Sequence, residues 1–491
     1  MPDDPIPPIL ADWFASRGWA VRQHQLEMLE AARAGRHALL TAPTGAGKTL
    51  AGFLPTLVEL VEQAAQEPVR AEPVEASGLA QPALRQAQGE RKGSDTLHTL
   101  YISPLKALAV DVQRNLLTPV EEMGLPITIE TRSGDTPSNR KARQRVKPPQ
   151  ILLTTPESLN LLLSQPESFT LFASLKRVVI DEALSATVAE PDDFRAWLAP
   201  YGDIDTVTHV LGAEGAPADL SIMLPETPEG DPVRVPWAGH AGAYAIPQVM
   251  QQIRDNRMTL IFCNTRFLAE LTFQKLWDIN DDTLAIGIHH GSLSKEARRK
   301  VENAMASGMM RALVCTASLD LGVDWGDIDC VIQMGAPKGS SRLLQRIGRA
   351  NHRLDVSSKA LLVPGNRFEY LEAQAALDAV NEGRRDGEPF RAGGLDVLAQ
   401  HVMSCACAAP FQEDALLDEV QSALPYSALH KEQFERVLNF TRDGGYALKA
   451  YDRFKRLRRD AKGFWSLTHP KFAAQHRLNA GIIVDAAMMT V

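Results

Sequence analysis

Residues 42–49, Ala-Pro-Thr-Gly-Ala-Gly-Lys-Thr, have the composition and order of a loop that binds phosphate groups. An apolar strand pattern precedes the loop and a helical pattern follows it, so its backbone N–H groups near residues 44–48 would lie at a helix N-terminus and bind phosphate oxygens. Lys48 would neutralise the β- and γ-phosphates, and the Thr49 hydroxyl would bind Mg²⁺. Ala42 stands where the usual pattern has glycine, and a glycine-rich turn with an unrelated lysine is the alternative interpretation.

Two adjacent acidic residues, Asp181 and Glu182, follow the apolar run at residues 178–180. An aspartate at a strand end can hold Mg²⁺ beside a phosphate loop, and a neighbouring glutamate can polarise the attacking water. An acidic pair after an apolar run is more commonly a solvated strand end, but the phosphate loop upstream favours the functional interpretation. The two segments together predict a magnesium-dependent nucleotide site.

Composition and charge narrow the class of protein. The 491 residues are 45% hydrophobic and 23% charged, with a net charge of −8, which argues against a coat on nucleic acid but not against a local basic groove. No apolar run approaches the roughly 20 residues of a membrane span, and the N-terminus lacks the features of a signal peptide. The C-x-C pair of Cys405 and Cys407 has no second pair, so buried small side chains are favoured over a metal site. We expect a reduced, cytoplasmic protein without membrane contact.

The segment at residues 66–95 interrupts the strand–helix alternation that precedes and follows it. It is polar, contains proline and glutamine, and lacks apolar periodicity, which predicts a disordered surface insert. Residues 201–245 are rich in glycine, proline and aspartate and predict a linker, with room for a hairpin. Apolar runs beyond it predict strands at residues 260–263, 312–315 and 330–333.

Further motifs, in a fixed order along the chain, identify a family. They are Gln25, Tyr-Ile-Ser-Pro-Leu-Lys-Ala-Leu from 101, Arg-Ser-Gly-Asp from 132, Thr-Thr-Pro-Glu-Ser from 154, Phe-Cys-Asn-Thr-Arg from 262, His-His-Gly-Ser-Leu from 289, Thr-Ala-Ser-Leu-Asp-Leu-Gly-Val-Asp from 316 and Gln-Arg-Ile-Gly-Arg-Ala-Asn-His-Arg from 345. This set resembles the superfamily 2 DExH-box helicases of the Lhr type, and most closely the bacterial ligase-associated DNA damage response helicases. The resemblance covers nearly the whole chain outside residues 66–95.

The resemblance implies an α/β fold of two RecA-like parallel-sheet domains followed by a winged-helix domain. The expected limits are residues 1–200 for the ATP-binding domain, 201–245 for the linker, 246–385 for the second RecA-like domain, 390–470 for the winged helix and 476–491 for the start of a further, truncated β domain. It also implies ATP and Mg²⁺ as cofactors and 3′-to-5′ movement on single-stranded or forked DNA in repair. A DNA ligase and a nuclease are the implied partners, and a nucleoid-associated, cytoplasmic location is expected.

The resemblance also assigns roles to residues. Catalysis is expected from Glu182, Arg349, Arg346 and Gln345, with Arg349 favoured as the arginine that stabilises γ-phosphate charge. The expected nucleotide-binding residues are Gln25, Thr44, Gly45, Ala46, Gly47, Lys48, Thr49, Gly322 and Asp324, and the expected magnesium ligands are Thr49 and Asp181. The expected DNA-binding residues, which would contact sugar and phosphate rather than bases, are Pro104, Lys106, Arg132, Thr154, Thr155, Arg266, His290 and Thr316. The basic residues at 453–462 suit either a phosphate-facing side of the winged helix or a solvated face.

The segment at residues 182–187 departs from the family. Relatives of this type have a histidine two residues after the glutamate, then a helix, then a separate strand that ends in Ser-Ala-Thr. Here Leu184 occupies the histidine position, and Ser185 and Thr187, expected to couple ATP to DNA, follow at once. Neighbouring parallel strands need a connection of roughly a dozen residues, and only two residues separate Glu182 from Ser185. Either one strand therefore takes the place of both in the sheet, or the sheet lacks a strand. Two alternatives to an active motor therefore stay open: an impaired chain that binds ATP or DNA without unwinding, and an RNA-directed helicase.

Overall fold

The computed structural model describes most of the chain in three domains. The described residues are 5–43, 45–66, 96–104, 106–181, 190–213, 216, 218–224, 235–239, 242–320, 328–350, 357–387, 390–445, 448, 451–481 and 483. Within these ranges, no helix combines the length and the apolar character that crossing a membrane requires.

The described residues of the first domain include eight α-helices and six strands. The strands are β1 (His37–Thr41), β2 (Thr99–Ile102), β3 (Ile129–Arg132), β4 (Ile151–Thr154), β5 (Arg177–Ile180) and β6 (Val207–Leu211). The helices are α1 (Pro8–Ser16), α2 (Gln23–Arg33), α3 (Lys48–Gln66), α4 (Lys106–Glu122), α5 (Ser138–Val146), α6 (Pro156–Leu163), α7 (Ser168–Leu171) and α8 (Pro191–Leu198).

The six strands of this domain form two separate parallel sheets. One has the order β3-β4-β2-β5, and the other consists of β1 and β6. Among the described residues no ladder joins β1 to β5, and Val178 of β5 is 47% exposed, although strands in parallel sheets are normally covered on both faces. Within the described residues no strand joins the two sheets, and the fused segment at residues 182–187 lies outside those residues.

The second domain is built on one parallel sheet of six strands in the order β7-β12-β11-β8-β10-β9. The strands are β7 (Asp219–Ile222), β8 (Thr259–Cys263), β9 (Ile286–His289), β10 (Ala312–Cys315), β11 (Cys330–Met334) and β12 (Lys359–Val363), which confirms the three predicted ones. Its helices are α9 (Ile246–Asp255), α10 (Arg266–Asp278), α11 (Lys295–Ala306), α12 (Ser340–Ile347) and α13 (Arg367–Asn381). Two apolar layers, each buried on one face of this sheet, form the core.

The interval expected to be a linker, residues 201–245, contains two strands that belong to different domains. β6 pairs with β1, His37 being opposite Val207, whereas β7 pairs with β12, Asp219 being opposite Lys359. The prediction of a plain linker, or of a hairpin within it, was wrong here. Glycine and proline mark the turns around these short strands, but the partners that stabilise them lie far away in sequence.

The third domain packs four helices against a small antiparallel sheet of order β13-β15-β14. Its helices are α14 (Leu395–Ala408), α15 (Glu413–Gln421), α16 (Lys431–Asp443) and α17 (Lys471–Asn479), and its strands are β13 (Phe411–Gln412), β14 (Leu457–Arg459) and β15 (Phe464–Leu467). Residues 476–479, expected to begin a β segment, lie in α17, and residues 484–491 lie outside the described ranges. Phe472 of α17 is buried in the core of this domain.

Candidate nucleotide and nucleic-acid sites

The phosphate loop joins β1 to the first turn of α3. Gly45 and Gly47 have φ angles of 78° and 76°, which side chains other than glycine rarely adopt. A Cβ atom on Gly47 would lie 3.1 Å from Nε2 of Gln25, so the loop and α2 approach closely there. Lys48 donates from Nζ to the carbonyl oxygens of Ala42 and Pro43, at 3.0 and 3.1 Å, across the mouth of the loop. Thr49 follows in the first turn of α3, and Thr44 lies outside the described residues.

The start of α2 holds this loop through two side chains. Nε2 of His24 donates to the carbonyl of Ala46 at 2.9 Å, and Arg22 donates to the carbonyl of Gly45 at 3.0 Å. Burial lowers the pKa of His24, which favours the neutral ring that this single donation needs. Gln25, expected to bind the nucleotide, lies within the first turn of α2 and accepts from the backbone N–H of Arg22. The sequence did not predict the roles of Arg22 and His24, because a contact between the start of α2 and the phosphate loop leaves no local sequence pattern.

Asp181 follows β5 directly and faces the phosphate loop across a cavity. Its Oδ2 accepts a hydrogen bond of 2.9 Å from the hydroxyl of Tyr101, a buried side chain of β2. The cavity has a volume of about 470 Å³, and its lining includes Lys48, Thr49, Tyr101 and Asp181. The hydroxyl of Thr49 and the carboxylate of Asp181 are hard oxygen donors, which is the donor type that Mg²⁺ prefers. Glu182, Ser185 and Thr187 lie outside the described residues.

A polar cluster at the opposite end of β5 ties that strand to α3. Glu59 of α3 accepts from Arg177 at 2.6 Å and lies 3.0 Å from Nε2 of His98. Burial by itself would raise the pKa of Glu59, but the hydrogen bonds from His98 and Arg177 outweigh it and lower the pKa to about 2. The cluster therefore contains an ionised carboxylate that fixes β5 against α3 although β5 has no ladder with β1 in the described residues.

Three residues expected to contact DNA are turned into the first domain. Arg132 donates to the carbonyl of Lys141 and to Gln144, and burial together with the charge of Arg145 lowers its pKa to about 10. Thr154 donates to the carbonyl of Arg132, and Thr155 caps the N-terminus of α6 by accepting from the backbone of Ser158. These side chains shape the loops after β3 and β4. Pro104 precedes α4, and the side chain of Lys106 lies outside what is described.

The corresponding residues of the second domain differ in exposure. Arg266 begins α10, has a side chain that is 60% exposed, and pairs with Glu270 at 2.8 Å. His290 is buried and lies 3.5 Å from the same carboxylate. The neighbouring His289 contacts Ser318 and Glu302, and burial lowers its pKa. Thr316 donates its backbone N–H to the carbonyl of His289. The arrangement joins the ends of β9 and β10 in one surface.

The residues expected to reach across to the nucleotide lie on helix α12 and directly after it. Arg346 is 2% exposed; it pairs with Asp320 at 2.8 Å, donates to Gln333, and lies over the ring of Phe262 at 4.8 Å. It therefore secures α12 against the interior of the second domain. Arg349 is also buried, and Gln345 is half-buried. Neither arginine is part of the described lining of the 470 Å³ cavity. Gly322 and Asp324 lie outside the described residues.

The third domain is docked on the first through a polar network on α6. Asn160 donates to Gln400 at 3.1 Å and accepts from Ser404 at 3.2 Å. Arg477 donates to the carbonyl of Ser164 at 2.6 Å, at the other end of the same helix. Because α6 begins at the cap residue Thr155, this contact fixes the third domain directly behind one of the loops expected to contact DNA.

The basic residues at 453–462 lie around the β14–β15 hairpin. Arg458 and Arg459 are exposed on β14, and Lys462 is exposed in the turn before β15. The guanidinium of Arg453 lies over Phe454 at 4.7 Å, and that of Arg459 lies 6.0 Å from the ring centroid of Trp465. A row of exposed cations beside aromatic rings suits nucleic-acid phosphates and bases.

Three family models match successive parts of the chain. Residues 22–198 match the DEAD/DEAH box helicase model, residues 244–353 match the helicase conserved C-terminal domain, and residues 378–491 match the winged-helix domain of large helicase-related proteins. The chain therefore has the two RecA-like domains of superfamily 2 helicases followed by a winged-helix domain, and the expected fold class is confirmed.

Known relatives define the family more narrowly. The chain is 32% identical to the "Lhr helicase/ probable uracil glycosylase" of Mycolicibacterium smegmatis, over 87% of this chain and 31% of the relative. It is 30% identical to the "ATP-dependent helicase Lhr-Core" of Methanocaldococcus jannaschii, over 88% of this chain and 52% of the relative. The structure of Mycobacterium smegmatis helicase Lhr bound to ssDNA and AMP-PNP superposes with a TM-score of 0.78 at 29% identity, covering 99% of this chain and 64% of that one. The chain belongs to the Lhr-type helicases and spans about a third to a half of these two curated relatives.

Proposed function

We propose that this chain binds MgATP between the phosphate loop and Asp181 and uses its hydrolysis to move along single-stranded DNA. The observation that carries the proposal is the shared cavity, which Lys48, Thr49 and Asp181 all line. Lys48 supplies the cation for the phosphates, and Thr49 with Asp181 supplies oxygen ligands for Mg²⁺, which neutralises charge during phosphoryl transfer. Arg349 is proposed to be the arginine of the second domain that stabilises charge on the γ-phosphate. Arg346 positions helix α12 within that domain.

The DNA path is proposed to follow the loops after β3, β4, β9 and β10 to the winged helix. Support comes from the docking of the winged helix on α6 and from the exposed cations of the β14–β15 hairpin. In the first domain, Arg132, Thr154 and Thr155 order the loops, so phosphate contacts there would come from backbone N–H groups and from the following helix N-termini. Movement in the 3′-to-5′ direction, a role in DNA repair, and the partnership with a ligase and a nuclease belong to the same proposal and rest on family resemblance.

Phosphate release measured with and without single-stranded DNA tests this function. The chain is expected to release phosphate faster when DNA is added, and Lys48→Ala is expected to abolish the stimulated rate. Lys471→Ala, on the exposed end of α17, is the matched control that removes a lysine remote from the cavity. Equal rates for the wild-type chain and Lys48→Ala would overturn the proposal. Competition between DNA and RNA strands of the same sequence would show which nucleic acid is preferred.

A second candidate function is binding of ATP or DNA without unwinding. It is favoured by one observation, the separation of β1 from β5, which places the phosphate loop and Asp181 on different sheets. Hydrolysis needs the two groups fixed to within less than about 1 Å, whereas binding tolerates more freedom. This candidate predicts nucleotide binding that depends on Lys48 but no DNA-stimulated phosphate release, and measurable unwinding would exclude it.

A further inference from the structure

The N-terminus of α12 is capped from outside the helix. Gly339 occupies the cap position and has no side chain, so Asp386, in the segment that follows α13, supplies the acceptor. Its Oδ1 accepts from the backbone N–H of Ser341 at 2.8 Å and from the hydroxyl of Ser340 at 2.7 Å. A carboxylate at this place also meets the positive end of the helix dipole. Asp386 therefore fixes the start of α12 from a position 45 residues beyond Ser341.

Further bonds hold the same segment against α12. The hydroxyl of Ser341 donates to the carbonyl of Asp386 at 2.7 Å, and that of Ser340 lies 3.1 Å from the carbonyl of Arg384. A Cβ atom on Gly339 would lie 2.3 Å from Oδ2 of Asp386, so a larger residue there would displace the carboxylate. Burial by itself would raise the pKa of Asp386, but the hydrogen bonds from Ser340 and from the backbone of Ser341 outweigh it and lower that pKa. The start of α12 is thus built around an ionised carboxylate.

A second carboxylate holds the other end of α12. Arg346 pairs at 2.8 Å with Asp320, which lies in the loop after β10, close to Thr316. Arg349, the proposed γ-phosphate arginine, follows three residues after Arg346. Two aspartates therefore determine where α12 and Arg349 lie: Asp320 from within the second domain, and Asp386 from the segment that leads to the winged helix.

The chain is attached to the first domain a short distance beyond Asp386. Phe390 packs edge-on against Phe194 of α8, with 5.2 Å between the ring centroids and 73° between the ring planes. Asp386 and Phe390 are four residues apart, and a chain of that length spans at most about 14 Å. The start of α12 therefore stays close to α8 as long as both contacts hold.

The region around α8 is joined in turn to the winged helix. The backbone N–H of Tyr201, which follows α8, donates to the carbonyl of Ser422 at 2.8 Å. Gly393, beyond Phe390, donates to the carbonyl of Pro425 at 2.7 Å. Together with the contacts on α6, these bonds hold the third domain on the first. Asp386 thus attaches α12 of the second domain to a unit that the other two domains form.

We propose that Asp386 is a positioning residue for ATP hydrolysis, which keeps α12 close to the first domain so that Arg349 reaches the nucleotide. The proposal rests on the function proposed above. Asp386 is not part of the described lining of the 470 Å³ cavity, so it acts through α12. Lys48 and Asp181, which hold the nucleotide in that function, belong to the first domain. Loss of Asp386 therefore slows hydrolysis and leaves the affinity for MgATP unchanged.

Steady-state kinetics of phosphate release with single-stranded DNA test this role. Asp386→Ala is expected to lower kcat roughly ten- to a hundredfold, because a misplaced catalytic group costs about that much, while KM for ATP stays within about twofold. Asp386→Asn keeps an acceptor oxygen for the N–H of Ser341 and is expected to recover most of the rate. Asp378→Ala, at an exposed position on α13, is the matched control and is expected to behave like the wild type.

Hydrogen exchange of α12, measured by mass spectrometry on the full chain, tests the attachment without any need for hydrolysis. Asp386→Ala is expected to speed exchange in residues 340–347 about fivefold, the change that loss of a typical helix cap produces. Phe390→Ala, which removes the contact with Phe194, is expected to speed exchange in the same residues, and to have no further effect when Asp386 is already alanine. Phe440→Ala, on an exposed phenylalanine of α16, is the control. A residue that only caps the helix would leave α12 insensitive to Phe390→Ala.

Two results would each overturn the proposal: an unchanged kcat in Asp386→Ala, or exchange in α12 that does not respond to Phe390→Ala. Failure of the function proposed above is recognised separately, because the wild-type chain would then show no phosphate release stimulated by DNA. In that case, exchange that depends on Phe390 through Asp386 still supports the attachment of α12, and exchange that does not depend on Phe390 overturns it.

Discussion

The hydroxyl of Tyr101 donates a 2.9 Å hydrogen bond to Oδ2 of Asp181, and this contact joins β2 to the end of β5. Tyr101 is fully buried and stacks on Phe53 of α3 at 5.4 Å between ring centroids. The proposed magnesium ligand is therefore oriented by a residue that packing has already fixed. Such support matters here because β5 has no described ladder with β1.

Tyr101→Phe is expected to weaken MgATP binding several-fold while leaving the fold intact. The ring still packs on Phe53, but the carboxylate of Asp181 loses a charge-assisted hydrogen bond of about 1.5–3 kcal/mol. Titration with a fluorescent ATP analogue measures the change. Tyr244→Phe is the matched control, because Tyr244 donates to the carbonyl of Pro364 in the second domain. Equal affinity of both variants would show that the Tyr101 hydroxyl does not orient the ligand.

Gly47→Ala is expected to abolish nucleotide binding. A Cβ atom there would have to tolerate φ of 76° and would approach Nε2 of Gln25 at 3.1 Å, so the loop must move. Gly18→Ala is the control: Gly18 has φ of 67° but open space around its Cβ position, so the variant loses only the roughly 1–2 kcal/mol of the left-handed conformation. Retained nucleotide affinity in Gly47→Ala would contradict the described loop geometry.

The free energy of unfolding is expected to decrease as the pH is lowered, in a pH range set by Glu59. Its pKa is about 2 in the folded chain against an ordinary value of 4.5, so the unfolded chain binds more protons between these values. The contribution of Glu59 is complete above pH 4.5 and is lost progressively as the pH falls towards 2. Denaturant unfolding across this range measures it, and Glu59→Gln is expected to flatten the dependence. An unchanged slope in Glu59→Gln would assign the acid sensitivity to other carboxylates.

Arg477→Ala is expected to weaken binding of single-stranded DNA and leave MgATP binding unchanged. The variant removes the hydrogen bond to Ser164, one of the contacts that dock the winged helix on α6, so the spacing between the two parts of the proposed DNA path becomes less fixed. Anisotropy of a labelled strand measures the affinity. Gln475→Ala, at an exposed position on the same helix, should bind DNA like the wild type. If Arg477→Ala also binds normally, the docking does not serve DNA binding.

The sequence predicted the elements whose signals are local. The phosphate loop, the strands at residues 260–263, 312–315 and 330–333, and the three-domain order all follow from short motifs or apolar runs. What the sequence did not reveal depends on distant partners. β6 and β7 are short strands stabilised by β1 and β12, and α17 packs Phe472 into the core of the third domain.

The same distinction applies to the candidate site. Lys48, Thr49 and Asp181 were identified from spacing, and they line one cavity. Their supports, His24, Arg22 and Tyr101, were missed because each acts through a tertiary contact. Arg132, Thr154 and Thr155 were predicted to contact DNA, yet their side chains form hydrogen bonds within the protein, a detail that spacing cannot predict.

Magnesium-dependent binding of ATP tests the central claim most directly. If Lys48 and Asp181 hold one MgATP across the cavity, the wild-type chain binds the nucleotide more tightly with Mg²⁺ than without it. Lys48→Ala then binds at least about tenfold more weakly, a loss of roughly 1.4 kcal/mol or more. Asp181→Asn is expected to bind ATP with the same affinity in the presence and in the absence of Mg²⁺. Calorimetric titration that finds the same affinity for all three proteins, with and without Mg²⁺, would contradict the account.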